Sequence, residues 1–171
     1  MTDNDVFRRR ATALIEGAGI ILRPEEVESM EVLDFGLGEP EVTGAQIVHI
    51  VDTYRLAVRL IALLPGQVEP EHTHPLDASG GKEETIRCAW GTIYLYGPGE
   101  PTSNPSTEPP AHRASRYTVR HEYALKPGKQ VTFSPGQAHW FKAGPEGGIA
   151  WSFSTRATDL RDSFTDPEVV R

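Results

Sequence analysis

The sequence has one cysteine, Cys88. No disulfide can close within the chain, so nothing in it calls for an oxidising compartment. It has no apolar run near the roughly 18 residues that a membrane-spanning helix needs. Its start, MTDNDVFRRRATALIEG, is acidic and then basic without an apolar centre, which is not the pattern of a secretory signal. A cytoplasmic protein that does not engage a membrane is expected. Positive charge is scarce as well: 17 Lys and Arg against 24 Asp and Glu leave a net charge of -7. Nucleic acid is a polyanion and needs clustered cations. The one basic cluster, Arg8-Arg9-Arg10, falls in an expected helix and reads as a solvated face. Nucleic acid is therefore not an expected partner, and a small ligand is. Internal repeats are absent, and no long helical pattern separates the apolar runs after residue 45, which argues against parallel βαβ units.

What is present suits one domain of short strands. The chain has 171 residues, and its 16 glycines and 14 prolines supply many turns. Residues 5–18 read as a helix, because Phe7, Ala11, Leu14, Ile15 and Ala18 share one face. Asp3 or Asn4 can cap its start, and Gly17 and Gly19 can stop it. A shorter helix is expected over 23–30. From residue 45 the pattern changes to β-branched and apolar runs bounded by polar turns: AQIVHIVDT, RLAVRLIALL, then 84–90, 92–96, 117–125, 130–133, 138–143 and 148–154. Many short strands at this spacing predict an all-β sandwich or closed barrel. GPGEPTSNPSTEPPAHRAS (97–115) holds five prolines and almost no apolar side chains. It reads as a long surface loop that covers the barrel mouth or reaches a neighbouring subunit.

One stretch, EHTHPLDASGGKEETIRCAWG (71–91), carries chemistry. Residues i and i+2 of a strand point the same way, so His72 and His74 can reach one ion. A carboxylate from the next strand and a third imidazole would complete a site suited to Mn, Fe, Co, Ni or Zn. The partners stand in patterned surroundings. GQVEPEHTH reads G-x5-H-x-H from Gly66, ETIRCAWG reads E-x6-G from Glu84 to Gly91, and GKQVTFSPGQAHW reads G-x7-G-x2-H from Gly128 to His139. Of the adjacent pair Glu83 and Glu84, only one can face inward, and the E-x6-G spacing selects Glu84.

These blocks resemble the two motifs of the cupin superfamily. The resemblance implies an all-β cupin-type barrel (jelly roll) with one or two short N-terminal helices. It also implies a divalent metal bound by His72, His74, Glu84 and His139. The chain then divides into an N-terminal extension (1–44), the barrel (45–156) and a C-terminal tail (157–171). Three departures are visible: nine residues separate His74 from Glu84, Pro135 sits one place from its usual position, and Ala143 stands where the second motif usually ends in Asn. If Glu84 faces inward, so do Lys82, Ile86 and Cys88; if His139 does, so do Gln137 and Phe141. Gln137 and Phe141 are candidate substrate contacts. Lys82 is a candidate catalytic and substrate-binding residue, because a cation near a metal can exchange a proton or hold an oxyanion. Cys88 reads as a small core residue. His49 reads as structural, His112 falls in the Pro-rich loop, and His121 stands mid-strand beside Glu122.

The similarity goes further. AGIILRPEEVESMEVLDFGLGEPEVTGAQIV, PEHTHPLDASGGKEETIRCAWGTIYLYGPGEPT, YTVRHEYALKPGKQVTFSPGQAHWFKAGPEG and the late FTDP together resemble the short-form D-lyxose isomerase family over nearly the whole length. That resemblance implies a metal-dependent aldose–ketose isomerase acting on D-lyxose and D-mannose. It implies Mn first among the divalent ions. A homodimer is expected from the cupin resemblance and the Pro-rich loop at 97–115, since a partner's segment can cover an edge strand. The family tends to carry a glutamate on the strand after the second motif, where this chain has Ser152. The base that acts on carbon is then expected elsewhere, with Glu122 the first candidate and Asp159 the second. Three other readings stay open: an oxygen-dependent cupin dioxygenase with Fe or Ni, a phosphosugar isomerase, and a sugar-binding cupin without catalysis.

Overall fold

The computed structural model describes residues 3–171 except 77, 79, 157 and 158. Helix α1 (Asp3–Gly17) opens with Asp3 and Asp5 in its first turn, where negative charge complements the helix dipole. Its buried face is Phe7, Ala11 and Ile15. Ala11 and Ile15 pack on Met30, Val48, Leu60, Ala62 and Ile149, outside the sheet. A short α2 (Pro24–Glu28) follows, started by a proline and by reciprocal bonding between Arg23 and Glu26.

Among the described residues, nine strands then form one antiparallel sheet: β1 (Glu31–Leu33), β2 (Ala45–Asp52), β3 (Leu56–Leu63), β4 (Val68–Thr73), β5 (Glu84–Gly97), β6 (His121–Leu125), β7 (Gln130–Phe133), β8 (His139–Thr155) and β9 (Ser163–Phe164). The order is β1-β2-β3-β8-β4-β9, and β5 pairs with β6, β7 and β8. Strand β8 organises the fold. It pairs with β3 through Gly148–Thr155, with β4 through His139–Lys142, and with β5 along most of its length. Its first part lies between β4 and β5 and its second part between β3 and β5, so this one strand joins both halves of the barrel wall. The interior is filled by Ile47, Ile61, Leu63, Ile86, Cys88, Ile93, Leu95, Phe133, Phe141 and their neighbours.

The all-β barrel expected from the sequence is the fold observed. Several boundaries differ, for physical reasons. The runs at 84–90 and 92–96 are one strand, β5, and those at 138–143 and 148–154 are one strand, β8. Gly91 makes the first join possible. It sits at φ 69°, and a Cβ there would lie 2.4 Å from the Gly147 carbonyl oxygen, so the bend needs a residue without a side chain. The run at 117–125 is regular only from His121. The flanks of the barrel are not mere extensions: β1 pairs with β2, and β9 pairs with β4 at His72 and Thr73. The Pro-rich segment folds back on its own chain. The Ser106 N–H and hydroxyl donate to Glu122, and Lys142 Nζ donates to Glu108 O. A 3-10 turn (Ala111–Arg116) closes it, with Arg113 paired to Glu39, Asp166 and Glu168.

Candidate metal centre

Strands β4, β5 and β8 meet at the site. His72 and His74 come from the end of β4 and the residues after it, Glu84 opens β5, and His139 opens β8 directly opposite His72 in the ladder. All four are buried, and one ligand atom from each lies within 4.8 Å of all the others. Atoms sharing one ion at about 2.1 Å each stand at most ~4.2 Å apart, so the group is close to a coordination shell. The turn before β8 is tied to β4 by the Gly136 N–H, which donates to His74 O at 2.8 Å. Gly136 takes φ 84° there, the left-handed conformation that glycine adopts most readily.

The imidazoles are oriented from behind. Nδ1 of His72 lies 2.9 Å from Pro70 O, Nδ1 of His139 lies 3.0 Å from Gln137 O, and Nδ1 of His74 lies 2.8 Å from Asp162 Oδ1. Each acceptor is an oxygen, so Nδ1 carries the proton and donates, and Nε2 is left as the ligand atom. His139 Nε2 lies 3.6 Å from Glu84 Oε2, beyond hydrogen-bond length, and is buried without a partner. A divalent ion is what this donor set fits: three nitrogens with their tautomers fixed, one carboxylate, and a buried nitrogen that nothing in the protein satisfies.

The electrostatics favour the metal-binding forms of Glu84 and His72, whereas His74 holds a second proton, on the Nε2 that bonds Glu84, which an ion would have to displace. Burial alone would raise the Glu84 carboxyl, but the Lys82 ammonium, 3.2 Å from Oε1, and the neighbouring imidazoles hold it well below the usual carboxylate range. Burial and the other two imidazoles push His72 well down, toward the neutral form that binds metal. Burial also opposes charge on His74, but its bonds to Asp162 and Glu84 outweigh this and carry it up to about 9. The Ser152 hydroxyl donates to Glu84 Oε1.

The cavity beside the cluster is lined by Ile47, Ile61 and Phe141 on its apolar side, and by Arg59, Glu69, His72, Lys82, Glu84, Asp162 and Arg171 on its polar side. Lys82 is buried and faces inward with Glu84, while Glu83 is exposed. Phe141 reaches the cavity. Gln137 does not line it; its Oε1 accepts from Ser134 N across the turn, because the residues before His139 form that turn and not a strand. Glu122 is a correction of the same kind. Its carboxylate accepts from the Tyr96 hydroxyl and from Ser106, so it anchors the Pro-rich segment and does not face the cluster. The side chain of Asp159 lies outside the described residues. His49 pairs with Glu31, His112 with Glu39, and His121 with Glu100 O, all away from the cavity. Cys88 is in the core.

Among the cavity residues not singled out from the sequence are two carboxylates, Asp162 and Glu69. Asp162 is 88 positions from the histidine it orients. Glu69 is buried, its Oε2 has no hydrogen-bond partner, and burial pushes its carboxyl up to about 8.

No protein-family model matches the sequence. Individual proteins do. A D-lyxose/D-mannose isomerase of Thermosediminibacter oceani is 47% identical over 158 residues, covering 92% of this chain and 87% of that protein. A D-lyxose ketol-isomerase of Cohnella laeviribosi is 46% identical over 165 residues, covering 96% and 91%. Among solved structures, the L-ribose isomerase of Acinetobacter sp. DL28 superposes with a TM-score of 0.79 at 15% identity, over 97% of this chain and 92% of that one. A double-stranded β-helix protein of Klebsiella pneumoniae superposes with a TM-score of 0.50 at 19% identity, over 71% and 84%. The last two are likenesses of fold.

Proposed function

The chain belongs to the D-lyxose ketol-isomerase family, and from that premise we propose that it is a metal-dependent aldose–ketose isomerase interconverting D-lyxose with D-xylulose, and D-mannose with D-fructose. The observation that carries this reading is the convergence of His72, His74, Glu84 and His139 beside a cavity that also holds Lys82. These four are the proposed ligands of one divalent ion, Mn ahead of Co, Fe, Ni or Zn. When bound, the ion supplies a Lewis acid that polarises the sugar carbonyl.

The rest falls to the chain. Isomerisation moves one proton between C1 and C2 and another between O1 and O2, by way of a cis-enediol. Lys82, buried at the cluster, is the group proposed to hold and exchange the oxygen proton. Phe141, Ile47 and Ile61 form an apolar wall that keeps water from the enediol. A homodimer is part of the proposal. Its support is an apolar strip on the outer face of the sheet, where Leu56 and Phe153 are exposed and the Phe153 ring lies 6.4 Å from Trp151. A cytoplasmic setting goes with the free thiol of Cys88.

The test is a panel of free aldoses and ketoses in D2O with Mn-loaded protein, read by product sugar and by deuterium at C2. Ketose from D-lyxose or D-mannose, with deuterium uptake and no oxygen consumed, is the expected result. A fully loaded protein that turns over no sugar overturns the reading.

A further inference from the structure

An isomerase needs a base that acts on carbon as well as a group that serves the oxygens, and the carboxylates of this cavity are not equivalent. Glu84 is committed: it bonds His74 and Ser152 and pairs with Lys82. Asp162 is committed to His74 Nδ1. Glu69 is the carboxylate that remains. It is 5% exposed, it lines the same cavity as His72, Lys82 and Glu84, and its Oε2 is buried with no hydrogen-bond partner.

Its direction has a cause in the backbone. On a regular strand, residues three apart point to opposite faces, so Glu69 would face away from the side that His72 faces. The β4–β8 ladder pairs Glu69 with Phe141 but His72 with His139, three residues on one strand against two on the other. This irregularity turns Glu69 to the side of the histidines, as a β-bulge beside a functional site does. A buried carboxyl oxygen without a partner costs folding stability, and such groups persist where a reaction uses them.

We propose that Glu69 is the carbon base, the residue that carries the proton between C2 and C1; this rests on the isomerase reading above. The ionised carboxylate takes the proton from C2 of the aldose. The C–H electron pair becomes the C1=C2 bond of the enediol, the carbonyl pair moves onto O1, and O1 takes a proton from Lys82. Glu69 then returns its proton to C1, the C1=C2 pair forms the new C–H bond, and O2 gives its proton back to Lys82 as it becomes the ketone. No co-reactant is consumed. Burial, which pushes the Glu69 carboxyl up to about 8, makes its ionised form a stronger base than an exposed glutamate.

Glu69→Gln keeps the size and removes the base. Wild type and variant, both loaded with Mn, are compared by bound Mn per chain, by calorimetric sugar binding, and by exchange of the C2 hydrogen with D2O. Mn and sugar binding are expected within about threefold of wild type, with C2 exchange at least about a hundredfold slower. A glutamine variant that exchanges at the wild-type rate overturns the assignment, and so does one whose Mn or sugar binding falls as far as its exchange. If the glutamine chain does not fold, Glu69→Asp decides. Its carboxylate is set back by one methylene and is expected to slow exchange about tenfold or more with Mn retained; wild-type exchange overturns the proposal. Wild type that exchanges no sugar hydrogen removes the isomerase reading and this assignment together, whereas an active wild type with an unchanged variant removes the assignment alone.

Discussion

His139 shows how neighbours leave a side chain poised to be a ligand. Its Nδ1–H is spent on the Gln137 carbonyl, its ring stacks on Phe133 at 4.3 Å, and its Nε2 is left bare in the interior. His72 and His74 are fixed in the same way, so the site is held by packing and not by the ion alone. His74→Ala is accordingly expected to lose bound metal, measured by elemental analysis, while the circular dichroism of the barrel is retained. Lys82→Ala is expected to leave metal content unchanged and to lower turnover by at least about a hundredfold, the scale of a positioned acid or base. A third prediction concerns pH. The Glu69 carboxyl is raised in the fold from an ordinary value of 4.5 to about 8, by burial first, with Glu84 and Asp162 adding and Arg171 and Lys82 opposing. The folded state therefore keeps a proton that the unfolded chain releases. The stability this contributes is fully present below about pH 4.5 and is lost as pH rises through 8. In metal-free protein, the melting temperature of Glu69→Gln minus that of wild type should widen from pH 5 to 8 and then level off.

At the scale of elements, the site is a meeting of strand ends, and the short β9 is as much a part of it as β4. Phe164 pairs with His72 in the ladder and its ring lies 5.7 Å from the imidazole, and the residue before β9, Asp162, orients His74. Asp162→Ala is expected to weaken metal binding by about 10–100-fold, the usual effect of losing such a partner. Asp162→Asn, which keeps an oxygen for the Nδ1–H, should recover part of it; metal titration checks both. This element explains why the site was only partly legible. His72, His74, Glu84 and His139 could be read because each motif is local and strands alternate regularly there. Asp162 could not, because no local pattern links the tail to β4. Glu69 was hidden for a different reason: alternation counted from His72 faces it outward, and only the irregular ladder turns it in. Glu122 had the right chemistry and the wrong neighbours, since Ser106 and Tyr96 already hold it. The barrel itself was legible from its short apolar runs, but not the joining of pairs of them into β5 and β8, which depends on close contacts such as that of Gly91 with Gly147. Gly91→Ala should cost at least about 2 kcal/mol in urea unfolding, from strain at positive φ and collision with that carbonyl.

For the whole molecule, a ligand that binds only the folded state stabilises it by mass action. Metal present at a hundred times its dissociation constant contributes about 2.7 kcal/mol, so a chelator should lower the melting temperature by roughly 5–10 °C in a domain of this size. Sedimentation at micromolar concentration is expected to give a dimer, and Phe153→Glu on the outer apolar strip should shift it toward monomer. The spread of the proposed ligands along the chain also bears on how such an ion would be acquired. During synthesis His72 and His74 emerge first, as a bare pair that any divalent ion would meet with the ordinary preference of imidazole. The carboxylate of Glu84, the third nitrogen on β8 and the orienting oxygen of Asp162 follow over the next 88 positions. The complete donor set exists only after β8 and β9 have been delivered and the sheet has curled, so on the proposed metal-centre reading the preference among ions would be set by the finished barrel.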